Sequence, residues 1–282
     1  MRKSLNEYDN WMGKCDGPAT VAKTKCGKKS FYLNPEAEWL QTDMESQLNN
    51  PVKIALLQNG GTVKMKTRKV KECGAVSLAN TCAFDSLAQG VASSFADSKV
   101  LLNLPEENMC QMYKFAKKIL KKNLSQEAYS ERVNILLKCF PSKDIHGLAY
   151  INCECPIGAM IKAANLISFE ENKKCTSCNA AAETHTFHTI CADPCLLEAK
   201  GIECLEEAIL STFPAGCCQF CNSTCDIQRV FSPIVFVETV RLTQTHNSLV
   251  ESPICVKLKS IPKIIHIDKS VSLHLRNAIE YK

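Results

Sequence analysis

Ser77-Leu-Ala-Asn80-Thr81-Cys82-Ala-Phe-Asp85-Ser86-Leu-Ala-Gln89 places a cysteine directly after a small polar turn, where a helix is about to begin. Leu87, Val91 and Phe95 recur at spacing four, so the spacing predicts a helix over 86–98 with one apolar face. A helix N-terminus carries unpaired N–H groups and the positive end of the helix dipole, and both favour a thiolate and an oxyanion beside it. Cys82 is therefore the candidate nucleophile.

Downstream, Pro105 with Glu106 and Glu107 opens a second predicted helix, striped by Met109, Met112, Tyr113, Ala116, Ile119 and Leu120 and closed by Lys117, Lys118, Lys121 and Lys122. A third is predicted near 125–140, presenting Tyr129, Val133, Leu136, Leu137 and Phe140. Beyond Pro141 the pattern turns strand-like. Residues 183–190 alternate, and further apolar runs cover 234–240, 254–258 and 261–267. Helices first and strands later read as an α+β fold. Upstream, residues 1–50 are polar and weakly periodic. Val52 to Leu56, Asn59-Gly60-Gly61 and the alternating Val63, Met65 and Thr67 predict a hairpin at 51–71. We therefore divide the chain into an N-terminal leader, 1–72, and a main domain, 73–282.

The 282 residues include 34 Lys+Arg, 29 Asp+Glu, 11 Gly, 11 Pro and 45% hydrophobic side chains, enough to bury a sizeable core and too varied for a disordered or collagen-like chain. A net charge of +5 draws polyanions only mildly. The basic run Lys64, Lys66, Arg68, Lys69 and Lys71 reads as a solvated strand face, and the 7% aromatic residues are not interleaved with it, so nucleic-acid stacking is not indicated. The start has no apolar run of secretory type and no stretch of about 18 apolar residues exists, so an intracellular protein without a membrane span is expected.

Eighteen cysteines in a reducing compartment read as metal ligands rather than as bridges. Cys175-Thr-Ser-Cys178 and Cys218-Gln-Phe-Cys221 are two C-x-x-C knuckles with 39 residues between them. Four thiolates suit a closed, structural zinc site with no open position for water. Cys217 and Cys225 compete as ligands beside the second knuckle. Cys153, Cys155, Cys191 and Cys195 are left over for a second site that the spacing does not favour. Cys110, Cys139, Cys204 and Cys255 read as small buried hydrophobes.

Asn80-Thr81-Cys82-x-x-Asp85-Ser86-Leu87 resembles the cysteine box of the ubiquitin-specific proteases, G-N-T-C-x-x-N-S, which leads into a helix. The order of the downstream elements is also similar: a helical region, a C-x-x-C knuckle, a strand like Glu183–Ile190, a helix like Leu205-Glu-Glu-Ala-Ile209, the second knuckle, and Phe231-Ser-Pro-Ile-Val-Phe-Val-Glu-Thr-Val-Arg241. The resemblance covers roughly three quarters of the chain. It implies a papain-like cysteine peptidase with a helical thumb at about 73–145, zinc-bearing β fingers at about 150–230 and a partial palm at 231–282. It also implies that Cys82 attacks the carbonyl after ubiquitin's C-terminal glycine, that Asn80 and Ser77 serve the turn and the oxyanion, and that ubiquitin or a ubiquitinated protein is the partner.

Three departures bear on activity. Ser77 stands where the family often has an asparagine, and Ala79 replaces the glycine before Asn80. The family's histidine box, G-H-Y with a later Asp or Asn, has no counterpart before Lys282. Attack by cysteine is slow without an imidazole to take its proton, so this polypeptide is expected to be poor or inactive as a peptidase, as a fragment of an enzyme or a degenerate relative. His266, in an alternating strand, reads as a structural or solvent-facing histidine. The alternative reading is a non-catalytic, zinc-stabilised module that binds ubiquitin or another protein.

Overall fold

In the computed structural model the described residues are 39–41, 53–57, 68–70, 74–121, 124, 126–178, 180–213, 216–239, 241–245, 248–252, 260–267 and 271–279. The first pairing is antiparallel, between β1 (Trp39–Gln41) and β2 (Lys53–Ala55). Strand β3 (Arg68–Val70) instead runs antiparallel to β4 (Gly74–Ala79). The turn and the second arm, 63–67, of the hairpin expected over 51–71 lie outside the described residues. Ile54 and Leu57 are buried in the main core, so this part of the leader belongs to the fold.

Strand β4 alternates, with Val76 and Leu78 buried and Ser77 and Ala79 half-buried, so one face rests on the core. From Ala79 the chain turns through Asn80 and Thr81 into α1 (Cys82–Asp97). Its face of Phe84, Leu87, Ala88, Val91, Ala92 and Phe95 is buried. Ser98 is extended and its hydroxyl caps α2 (Lys99–Leu102) by accepting from the Leu101 N–H at 3.3 Å. Glu106–Asn108 form a single 3₁₀ turn, and extended backbone at Met109 defers the next helix, α3 (Gln111–Lys121), past the Pro105 start expected from sequence. Helix α4 (Gln126–Cys139) completes the helical layer. Phe84 meets Phe115 at 5.6 Å between ring centroids, and Phe95 meets Tyr113 edge-on at 6.0 Å.

These four helices form the crossover that lets the chain return parallel to β4. Strand β5 (Lys143–Ile145) and β6 (Leu148–Asn152) form a hairpin whose two turn residues, His146 and Gly147, have φ of 55° and 77°. That left-handed pair matches the twist of adjoining strands. Strand β6 then pairs parallel with β4, giving the order β3-β4-β6-β5, and α5 (Ile157–Ala163) adds Met160 and Ile161 to the core.

A second assembly begins with β7 (Phe169–Cys175) and β8 (Glu183–Phe187) and is completed by a later strand at Cys225–Phe231. Between them lie β9 (Ile190–Cys191), α6 (Pro194–Lys200) and α7 (Leu205–Leu210). Helix α6 has Pro194 at its first position and the Asp193 carboxylate accepting from the Cys195 and Leu196 N–H groups at 2.8 and 3.3 Å. Asp193→Ala should cost about 0.5–2 kcal/mol in urea denaturation, the ordinary value of such a cap. The strand at Cys225–Phe231, β10, pairs antiparallel with β7 so that Phe231 faces Phe169 at one end and Cys225 faces Cys175 at the other. At the aromatic end, Phe169 stacks on Phe187 at 4.5 Å and meets Phe213 and Phe231 at 5.6 and 5.5 Å.

Among the described residues of the strand expected over 234–240, β11 (Val237–Glu238) forms, parallel to β9; Pro233 has no N–H for an earlier ladder. Two hairpins come next, β12 (Arg241–Thr245) with β13 (Ser248–Ser252) and β14 (Ile264–His266) with β15 (Ser272–His274). The strand expected over 254–258 lies outside the described residues. After β15 the chain lies on α1. Arg276 pairs with Asp97, in the last turn of α1, and the side chains of Asn277 and Ile279 approach Gly90. This segment therefore advances toward the end of α1 that carries Cys82. The protein is an α+β fold, and no described helix is long and apolar enough to cross a membrane.

Candidate functional site

Two strand ends meet beside Cys82. Strands β4 and β6 are parallel neighbours with Ala79 opposite Asn152, so both leave the sheet at the same edge. Asn80 takes φ of 56°, a left-handed turn that asparagine tolerates better than most residues. Its amide donates to Asn152 Oδ1 at 2.9 Å, and the same oxygen accepts from the Glu154 N–H at 3.2 Å. The Cys153 N–H donates to the Ala79 carbonyl at 2.9 Å. These bonds tie the exit of β6 to the turn that delivers the cysteine. Asn152 had no signature in sequence, because its role depends on a pairing 72 positions distant.

Cys82 is the first residue of α1 and is partly exposed. The Asp85 N–H makes the first helical bond, to the Thr81 carbonyl at 2.9 Å, and no side-chain cap bonds the first-turn N–H groups. Thr81 instead directs its hydroxyl to Asp85 Oδ2 at 2.6 Å. The other Asp85 oxygen accepts from Arg132 Nη1 at 2.9 Å, and the guanidinium lies 4.9 Å from the Tyr129 ring centroid. Burial pushes the Asp85 carboxyl above its usual range, against the opposing pull of Arg132 and Thr81.

Three further thiols surround this point. Cys153 is buried and pushed up to about 12, by desolvation first and the Asp85 charge second. Cys155 is raised by burial and then by the neighbouring Cys82 sulfur. Cys139 is raised by burial, and its thiol donates to the Ala163 carbonyl at 3.4 Å. Such thiols are poor nucleophiles.

Ser77 sits opposite Tyr150 on β4, and among the described residues no hydrogen bond joins it to Cys82 or Asn80. No described histidine hydrogen-bonds to Cys82 either. His266 is exposed and engaged elsewhere: its Nδ1 is 2.9 Å from Ser272 Oγ, and its backbone N–H donates to Glu206 at 2.8 Å. His188 Nδ1 is 2.6 Å from the Leu166 carbonyl.

The second candidate centre forms where β7 ends and β10 begins. Cys175, Cys178, Cys218 and Cys221 bring their sulfurs within 4.8 Å of one another. The long insert closes on itself because Cys225 pairs with Cys175, Gly216 packs on Ile227 and Lys173, and the Cys225 N–H donates to the Gly216 carbonyl at 2.9 Å. A Cβ on Gly216 would come within 2.8 Å of the Ile227 side-chain end and 2.9 Å of that of Lys173, so a larger residue here would displace both. Two sulfur pairs are 3.5 and 3.6 Å apart, Cys175 with Cys221 and Cys178 with Cys218. A tetrahedral ion with bonds of about 2.3 Å needs sulfurs about 3.8 Å apart, whereas a disulfide needs about 2.05 Å. The four cysteines fit a metal ion.

Backbone amides prepare these sulfurs for negative charge. The N–H groups of Ser177 and Cys178 lower Cys175, those of Phe220 and Cys221 lower Cys218, and the Ser223 hydroxyl followed by its N–H lowers Cys221. Cys178 is drawn down by the Ala180 N–H yet, facing the other three sulfurs, is pushed up to about 12. A bound cation would favour the thiolate form of all four. Among the described residues no other metal-ligating group converges: Cys217 and Cys225 stay outside the tetrad, and Cys153, Cys155, Cys191 and Cys195 form no second set.

No protein-family model matches the chain, and no curated protein matches it.

Proposed function

We propose that this chain is a deubiquitinase-like domain of papain type, with Cys82 as the nucleophile and a structural zinc ion at the Cys175, Cys178, Cys218 and Cys221 tetrad. The observation that carries the reading is the partly exposed Cys82 at the first position of a 16-residue helix whose initial N–H groups the Thr81 side chain does not cap. The Cys82 thiolate adds to the carbonyl carbon of ubiquitin's C-terminal glycine, and the first-turn N–H groups of α1 receive the oxyanion. Collapse expels the amine, which takes up a proton, and water hydrolyses the thioester.

No described histidine contacts Cys82, and this favours a second reading, a zinc-stabilised module that holds ubiquitin without cleaving it. Ubiquitin with a thiol-reactive C-terminus separates the two. The first reading expects one ubiquitin added per chain and none on Cys82→Ala. Binding of ubiquitin with no adduct would leave the second, and neither binding nor adduct would reject both.

A further inference from the structure

The mouth of α1 contains a buried charge pair that attack by Cys82 does not use. Arg132 is fully enclosed, Asp85 is 5% exposed, and Thr81, the residue before Cys82, is fully enclosed. The bonds run Arg132 to Asp85 at 2.9 Å and Thr81 to Asp85 at 2.6 Å, joining α4 to the peptide that enters the nucleophile's helix. A threonine at this position ordinarily turns its oxygen to the N–H of the second or third helical residue. Thr81 makes no such bond. An apolar pair of similar volume often serves stability as well as a buried ion pair does, so stability alone does not account for these two residues.

We propose that Asp85 and Arg132 are positioning residues for Cys82. Arg132 fixes Asp85, and Asp85 holds Thr81 by its hydroxyl. So held, Thr81 sets the first peptide of α1 and leaves the first-turn N–H groups to the Cys82 sulfur and to the oxyanion of an acyl group attached there. The inference deepens, and rests on, the reading of Cys82 as a nucleophile.

The test is the rate at which iodoacetamide alkylates Cys82, followed on its own peptide by mass spectrometry, with buried Cys153 as an internal reporter of fold integrity. Thr81→Val breaks the hydroxyl link, Thr81→Ser keeps it, and Asp85→Leu with Arg132→Met replaces the charge pair by apolar side chains. Thr81→Val and the double variant should slow Cys82 about tenfold, because small misplacements of a reacting group carry large rate penalties. Thr81→Ser should stay within about twofold of the parent, and Cys153 should stay protected throughout. Unchanged Cys82 rates in Thr81→Val and the double variant, or equal slowing in Thr81→Ser and Thr81→Val, would overturn the proposal. Should the double variant expose Cys153, the two Thr81 variants decide by the same criterion. Iodoacetamide carries no ubiquitin, so a chain that ignores the ubiquitin reagent yet shows this contrast sinks the functional reading and leaves the positioning role standing.

Discussion

Cys218→Ser is expected to strip the metal from the chain and to melt the end of the β10-β7-β8 sheet that carries the knuckles. Cys218 is 5% exposed and its sulfur lies within 4.8 Å of those of Cys175, Cys178 and Cys221, so its loss opens the coordination shell and leaves three crowded thiols. Structural zinc sites of this kind contribute on the order of 10 kcal/mol of binding free energy, which here is coupled to closing the 39-residue insert between the knuckles. Hydrogen exchange at Lys173–Cys175 and Cys225–Ile227 should rise by orders of magnitude in the variant, or in the parent treated with a chelator. The aromatic end, held by Phe169, Phe187, Phe213 and Phe231, should lose less. Less than about one zinc per chain in the reduced parent would contradict the four-thiolate site.

Arg132→Met alone should destabilise the fold by about 3–5 kcal/mol in chemical denaturation, because it leaves Asp85 buried without its counter-charge. Asp85→Leu added to it should restore most of that loss, giving a coupling energy of several kcal/mol for the pair. The contrast matters because the single substitution confounds folding with reactivity, whereas the double variant separates them. A single variant as stable as the parent would mean that the pair is less enclosed than its burial indicates.

Legibility in the sequence tracks the range of the interactions. Helices α1, α3 and α4 were legible because a 3.6-residue stripe is local, though α3 starts later than Pro105 implied, since Glu106–Asn108 make their own turn. The tetrad was legible because each knuckle is four residues long and its ligands are all of one kind. The four-stranded sheet was not. Gly74–Ala79 is a short, half-apolar strand whose partner, Leu148–Asn152, lies beyond four helices, and nothing local announces a parallel pairing at that distance.

Within the site the same division holds. Cys82 at the mouth of a helix was evident from the polar turn before it, whereas Asn80 was singled out only by the resemblance to the cysteine box. The support around them was not evident. Arg132 looks like an ordinary surface residue on an amphipathic helix, and only the fold reveals that it is enclosed and bonded to Asp85, 47 positions away. Cys153 and Cys155, left over in the sequence for a second metal site that their spacing did not favour, lie near Cys82 as thiols raised by burial. The expected donor Ser77 belongs to the strand behind the turn, where its backbone holds β6.

The most direct test of Cys82 as a ubiquitin-directed nucleophile is to expose the reduced, zinc-loaded chain to ubiquitin bearing a C-terminal thiol-reactive group and to map the adduct by peptide mass spectrometry. Cys191, Cys195 and Cys217 are more exposed than Cys82 and compete with it on accessibility alone. The adduct is expected on Cys82, and it should be lost when ubiquitin's last two glycines are removed. An adduct spread over Cys191, Cys195 and Cys217, or one on Cys82 that is indifferent to the ubiquitin body and tail, would contradict that role.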